Sequence, residues 1–224
     1  MDLAEILALF LARLAGGYAL CLALIGGSVT EGSWRKISLF VIVGVCAAAF
    51  AAGFDWRVCA ATGLAALLTE RALAFGVERA TLFMLPFGVW LLWPPALDTF
   101  ASAIAIGGTL GAMLLGHSYL TARGLSFAPL KRMALLLFGI LILRTAFVVP
   151  VFFDDGLVMG DWIYLAARCA FGLALPLLFG WMVIQCVKIE SNQSATGILY
   201  AMTLFVFLGE LTAVYLKLER GIAA

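Results

Sequence analysis

Charge is scarce in this chain. Only 12% of its 224 residues are Asp, Glu, Lys or Arg, against about 25% in a soluble domain. The 14 basic and 13 acidic residues nearly cancel, and neither sign is concentrated in a tail. That excludes a basic nucleic-acid surface and the charged composition of disordered segments. There is a single histidine, His117, which cannot supply both axial ligands of a bis-histidine haem. No His, Cys, Asp and Glu spacing matches a zinc or di-iron set, so no metal site is expected. Gly-rich phosphate loops and serine–histidine–aspartate spacings are missing too. The five cysteines, Cys21, Cys46, Cys59, Cys169 and Cys186, form no C-x-x-C pair and sit in apolar runs. They read as small buried hydrophobes.

Apolar residues are what the chain has in abundance. They make up 65% of it, and the mean hydropathy is +1.12. A soluble fold of this size could not keep that much apolar surface from water. The composition therefore reads as an all-α integral membrane protein, since alternating β-barrel patterning is absent and helices are the remaining spanning structure. At about 20 residues per pass, eight runs qualify: 3–29, 36–54, 57–77, 80–97, 99–121, 133–153, 162–187 and 194–217. The third is interrupted by Glu70 and Arg71. Short connections leave no room for a soluble domain, so residues 1–224 read as one transmembrane domain of about eight helices. A seven-span count is the alternative. The acidic start, Met1-Asp2-Leu3-Ala4-Glu5, does not fit a cleaved signal peptide, so the first run reads as a retained span.

Eight passes put both termini on one side, here called A. The loops of the other side, B, hold Arg35, Lys36, Arg79, Arg123, Lys131, Arg132 and Lys188. Side A has only Arg57, Lys217 and Arg220 outside the spans, and it collects acids: Asp2, Glu5, Asp55, Asp98, Asp154, Asp155 and Asp161. The Lys/Arg excess marks the cytoplasmic side. The chain thus reads as a multi-pass protein of the cell (inner) membrane with both termini on the non-cytoplasmic side. Trp34 and Trp181 fall towards the B boundary, and Trp56, Trp90, Trp93 and Trp162 towards A, as aromatic belts would.

Pro86, Pro150 and Pro176 fall inside spans. Each removes a backbone donor and obstructs the carbonyl four residues earlier, which for Pro176 is that of Gly172. Such a carbonyl needs another partner in a membrane. The fifth span carries Ala103, Gly107 and Gly111, repeated one residue along by Gly108, Ala112 and Gly116. Small residues four apart let helices approach closely, so this helix is expected to be central, with neighbours on two sides.

Four charges lie inside spans: Arg13, Arg144, Arg168 and Glu210. Each costs roughly 2.5–3.5 kcal/mol on insertion scales and calls for a reason. At 1.5 Å per residue, all four fall in one layer of the outer half. Arg168 and Glu210, on consecutive helices at matching depth, are expected to pair. That leaves Arg13 and Arg144 as surplus positive charge, with the Tyr164 hydroxyl one turn from Arg168. The layer reads either as a structural ion-pair network or as a cavity for an anionic or carbonyl-bearing ligand, for which the arginine fork is suited.

A second polar patch lies at the B end. It contains His117 and Tyr119 within Gly-His-Ser-Tyr-Leu, with Gln185 and Gln193 nearby in depth. Ser191, Asn192 or Ser194 is expected to cap the last helix. His117 reads either as a satisfied interfacial histidine or as a group that exchanges protons at a quinone head group.

Three functions fit. The favoured one is a membrane subunit of a respiratory or electron-transfer complex. It would anchor other membrane or peripheral subunits and bind a quinone at the Arg, Glu and His residues, with no catalytic activity of its own and no covalent cofactor. Haem is not expected. A small proton-coupled transporter and a purely structural assembly subunit are the alternatives. The lipid bilayer is the expected surroundings, and nucleic acid is not an expected partner.

Overall fold

The computed structural model of the chain describes residues 3–25, 32–74, 97–121, 126–153 and 157–222. These form seven helices: α1 (Leu3–Ile25), α2 (Gly32–Ala51), α3 (Trp56–Ala74), α4 (Leu97–Thr121), α5 (Ala128–Val148), α6 (Met159–Lys188) and α7 (Asn192–Arg220). All but α3 are long and apolar enough to cross a membrane. In α3, the adjacent Glu70 and Arg71 break the apolar run near its end. The expected fourth run, 80–97, lies almost wholly outside the described residues, as do Pro86, Trp90, Trp93, Arg79, Arg123, Asp154 and Asp155.

Helix α4 is the centre of the bundle, packed on α1, α5 and α7. Its glycines explain why. A Cβ on Gly107 would overlap the backbone of Gly17 and Tyr18, and a Cβ on Gly17 would overlap the carbonyl of Ala103. On the other flank, Gly108 faces Leu137, and Gly116 faces Thr196. Both small-residue faces expected from the sequence are therefore in use. Backbones approach at α1, while α5 and α7 fill the opposite side with side chains.

These contacts also fix direction. Residues rise together along α1 and α4, from Arg13 beside Ser102 to Cys21 beside Gly108. They run oppositely in α4 and α7. The α2–α3 turn (Ala52, Gly53 and Phe54) lies beside Ala4, Glu5 and Ala8 of α1, and Val58 and Thr62 lie near Ala12 and Ala15. Helix α3 thus runs with α1, as α4 does.

The α4–α7 interface repeats every seven residues. Ser102 meets Glu210 at 2.6 Å, the Thr203 hydroxyl lies 3.3 Å from the Thr109 carbonyl, and Gly116 faces Thr196. This is the spacing of a left-handed antiparallel seam. The two threonine hydroxyls also donate within their own helix, to the Leu199 and Asn192 carbonyls.

Several local expectations change in the structure. Trp34 is fully buried against the core rather than placed in an interfacial belt, while Trp56, Trp162 and Trp181 are exposed. Pro150 lies outside the α-helical part of its span. It stands in a 3-10 turn, Val149–Phe153, that ends α5, because a residue without an N–H fits a terminus better than an interior. Pro176 does sit within α6, two residues after the end of a π-helical turn, Ala170–Ala174. Ser191 occupies the N-cap of α7 without a side-chain bond to the backbone; its hydroxyl donates to that of Ser194 instead, at 2.9 Å. At the other end, α7 stops on Gly221, whose φ of 68° suits a residue lacking Cβ.

Candidate functional site

Glu210 is the hub of the buried charges. Its Oε1 accepts from Arg168 Nη2 at 2.8 Å and from Arg144 Nε at 3.1 Å. Its Oε2 accepts from Arg144 Nη2 at 3.0 Å and from the Ser102 hydroxyl at 2.6 Å. Arg144 therefore grips the carboxylate with two nitrogens, the fork geometry that arginine alone provides. Its third nitrogen, Nη1, reaches Asp98. Asp98 in turn holds Lys217 Nζ at 3.3 Å, and Arg13 joins through Nη1, which donates to Ser102 Oγ at 3.2 Å.

Five helices meet at this one depth: α1, α4, α5, α6 and α7. Arg144, Arg168 and Glu210 have side chains that are at most 1% exposed. Asp98 is 16% and Lys217 37% exposed, so among the described residues the network reaches the surface at its A-end rim. Among the described residues, the cations Arg13, Arg144, Arg168 and Lys217 outnumber the carboxylates Glu210 and Asp98. The Nε atoms of Arg13 and Arg168 have no acceptor among the described residues.

The helix break in α6 belongs to the same site. Pro176 cannot donate to the Gly172 carbonyl, and Arg168 Nη1 donates to that oxygen at 3.3 Å. Gly172 also lets α6 and α7 touch: a Cβ there would stand 2.6 Å from Gly209 Cα and 2.6 Å from Arg168 Nη1. A larger residue at either glycine would displace the arginine from Glu210.

The structure thus brings together Arg13, Arg144, Arg168 and Glu210, including the pair expected between Arg168 and Glu210. Arg144 is not surplus charge, because it bridges both carboxylates. Sequence reasoning missed Asp98, Ser102 and Lys217 as members. Asp98 and Lys217 look like ordinary end-of-span charges. The available signal was Ser102 one turn from Asp98 on the small-residue helix. Tyr164 does not join the cluster. It is 41% exposed, and its ring lies 4.8 Å from that of Tyr215 on the outer face.

The B-end candidates do not form one site. Tyr119 Oη donates to the Ser126 carbonyl at 2.8 Å and its ring packs on Phe127, just before α5. Gln185 lies 3.5 Å from Lys188 Nζ, and Gln193 is exposed. His117 is exposed and its Nδ1 lies 3.2 Å from Tyr200 Oη on α7. Tyr200 was not among the expected site residues, since only the packing of α4 on α7 brings it to His117.

Six apolar helices around a buried charge layer define a multi-pass helical membrane protein. Comparison with protein-family models, with curated proteins and with solved structures gives no match for this chain.

Proposed function

We propose that this chain is an integral membrane subunit of an electron-transfer complex, anchoring partner subunits in the bilayer and binding a quinone. The observation that carries this reading is the Glu210 network. It ties five helices together at one depth in a bundle whose described turns are only a few residues long. Such a body gives rigid anchorage and leaves the bulk chemistry to partners. The excess of cations among the described residues of the cluster suits a carbonyl or anionic acceptor, and the His117–Tyr200 pair places an imidazole and a phenol hydroxyl on the outer face.

The same reading holds eight passes, both termini outside the cytoplasm and the cell (inner) membrane as its place. Helices α3 and α4 run in the same direction, so Ala74 and Leu97 lie at opposite ends of the bundle. The apolar run 80–97 is long enough to return the chain. The basic residues Arg35, Lys36, Lys131, Arg132 and Lys188 gather at the B end.

Native mass spectrometry of the protein extracted from its own membrane in mild detergent tests the proposal. Larger partner subunits and a quinone-sized mass are expected. A bare monomer or homo-oligomer overturns it. A proton-coupled carrier is the second reading, favoured by the continuous chain Lys217–Asp98–Arg144–Glu210 from the A-end rim to a buried carboxylate. Proton-linked uptake into proteoliposomes, lost in Asp98→Asn, would support the carrier instead.

A further inference from the structure

The Glu210 cluster and the His117–Tyr200 pair differ in access. Among the described residues, Glu210 is engaged by the cluster's own arginines, and the cluster reaches the surface beside Asp98 and Lys217. The pair lies on the outer face of α4 and α7, where Tyr200 is 46% exposed. His117 stands four residues from the end of α4, and Tyr200 eight residues into α7, about 6 and 12 Å from the B end at 1.5 Å per residue. This is the depth at which head groups give way to hydrocarbon.

A polar pair on a lipid-facing surface is costly unless its remaining hydrogen-bonding capacity is used. The Nδ1–Oη contact uses one position on each group. An imidazole has a second ring nitrogen, and a phenol hydroxyl can both donate and accept. The pair can therefore offer a proton donor and an acceptor to a third group.

The helix surface beside it is bare. Gly197 lies one turn before Tyr200 on α7, and nothing stands within 4 Å of where its Cβ would be. Further along the same face, Leu204 and Leu208 are exposed. They continue at four-residue steps from Tyr200 towards the bilayer centre. From the B end inward, the surface thus presents bare backbone at Gly197, level with His117, then the Tyr200 hydroxyl, then the exposed leucines.

We infer that His117, Gly197 and Tyr200 form the quinone head-group site, entered sideways from the bilayer, with the isoprenoid tail lying along Leu204 and Leu208. A quinone matches each part: a flat ring to lie on the bare backbone at Gly197, carbonyls for the hydroxyl and imidazole, and an apolar tail for the ridge. The inference rests on the proposed quinone-binding function and places that function at the B end instead of the arginine cluster.

The test uses the full chain in lipid nanodiscs with short-chain ubiquinone and naphthoquinone analogues. Binding is read by quenching of tryptophan fluorescence, and an azidoquinone label is mapped by mass spectrometry. Gly197→Leu covers the bare backbone without replacing either member of the polar pair and adds a good helix former at an open position, so it should fold normally. At least tenfold weaker binding is expected for Gly197→Leu and for Tyr200→Phe, with labelling confined to α4 and α7 near these residues. Unchanged affinity in both variants, labelling at the A end, or no binding by the parent protein overturns the site. Loss of a co-purified phospholipid from the variants, without any quinone binding, assigns the pair to a lipid head group and overturns it as well. Co-purification of partner subunits is scored separately, so the anchoring role stands or falls independently of this site.

Discussion

Arg168 Nη1 donates to the carbonyl of Gly172, the oxygen that Pro176 leaves without its usual helical donor. One arginine thus serves the helix break with one nitrogen and Glu210 with another, at 2.8 Å. Proline and arginine are functionally linked although they lie two turns apart on α6. In Pro176→Ala, the restored backbone N–H would compete for the Gly172 carbonyl. Arg168→Lys, which cannot span both acceptors, should then cost less in that background than in the parent. A coupling of about 1 kcal/mol is expected from a double-mutant unfolding cycle. Strict additivity would show that the two residues act separately.

Glu210 and Asp98 are both ion-paired, but at different depths. Removing Glu210 leaves the buried Arg144 and Arg168 without their shared carboxylate, a loss on the order of 3–5 kcal/mol. Asp98 is partly exposed and Lys217 can turn to water, so Asp98→Asn should cost much less. Unfolding in mixed micelles should rank Glu210→Ala well below Asp98→Asn. Equal losses would contradict the hub role.

The glycines divide into two groups. A methyl at Gly17 or Gly107 meets backbone of the neighbouring helix, whereas a methyl at Gly44 or Gly139 meets nothing within 4 Å. Gly17→Ala and Gly107→Ala should lower the thermal midpoint in detergent. Gly44→Ala and Gly139→Ala should leave it unchanged or raise it, since alanine is favoured over glycine in a helix by up to about 1 kcal/mol. A similar response from all four would mean that α1 and α4 do not pack this closely.

Orientation is open to a direct test. Reporters fused to either end should be active as an exported phosphatase and dark as a cytoplasmic fluorescent protein. Opposite signals at the two ends would require an odd number of passes.

The helical, membrane-spanning character of the chain was legible from composition alone, because a bilayer imposes length and polarity on each pass. The depth of the four charges was legible for the same reason: residue number converts to height at a fixed rise. Rotation about each helix axis was not legible. Asp98 and Asp161 have similar standing in the sequence, yet one turns towards Arg144 while the other pairs with Arg220. Tyr164 shares a helix with Arg168 but faces Tyr215. Tyr200 finds His117 only because α4 and α7 pack in one register, and a single chain does not state that register outright.

The seven-residue seam between α4 and α7 has a mechanical consequence. Slide α7 by one helical turn in one direction and Glu210 comes level with Ile106, a carboxylate against hydrocarbon. Slide it the other way and Glu210 comes level with Asp98, two like charges in a medium that screens poorly. Both slips also separate Thr203 from Thr109. The pair of helices is therefore keyed like a tooth in a notch: it can tilt or move as a unit, but it has no adjacent stop into which it can ratchet.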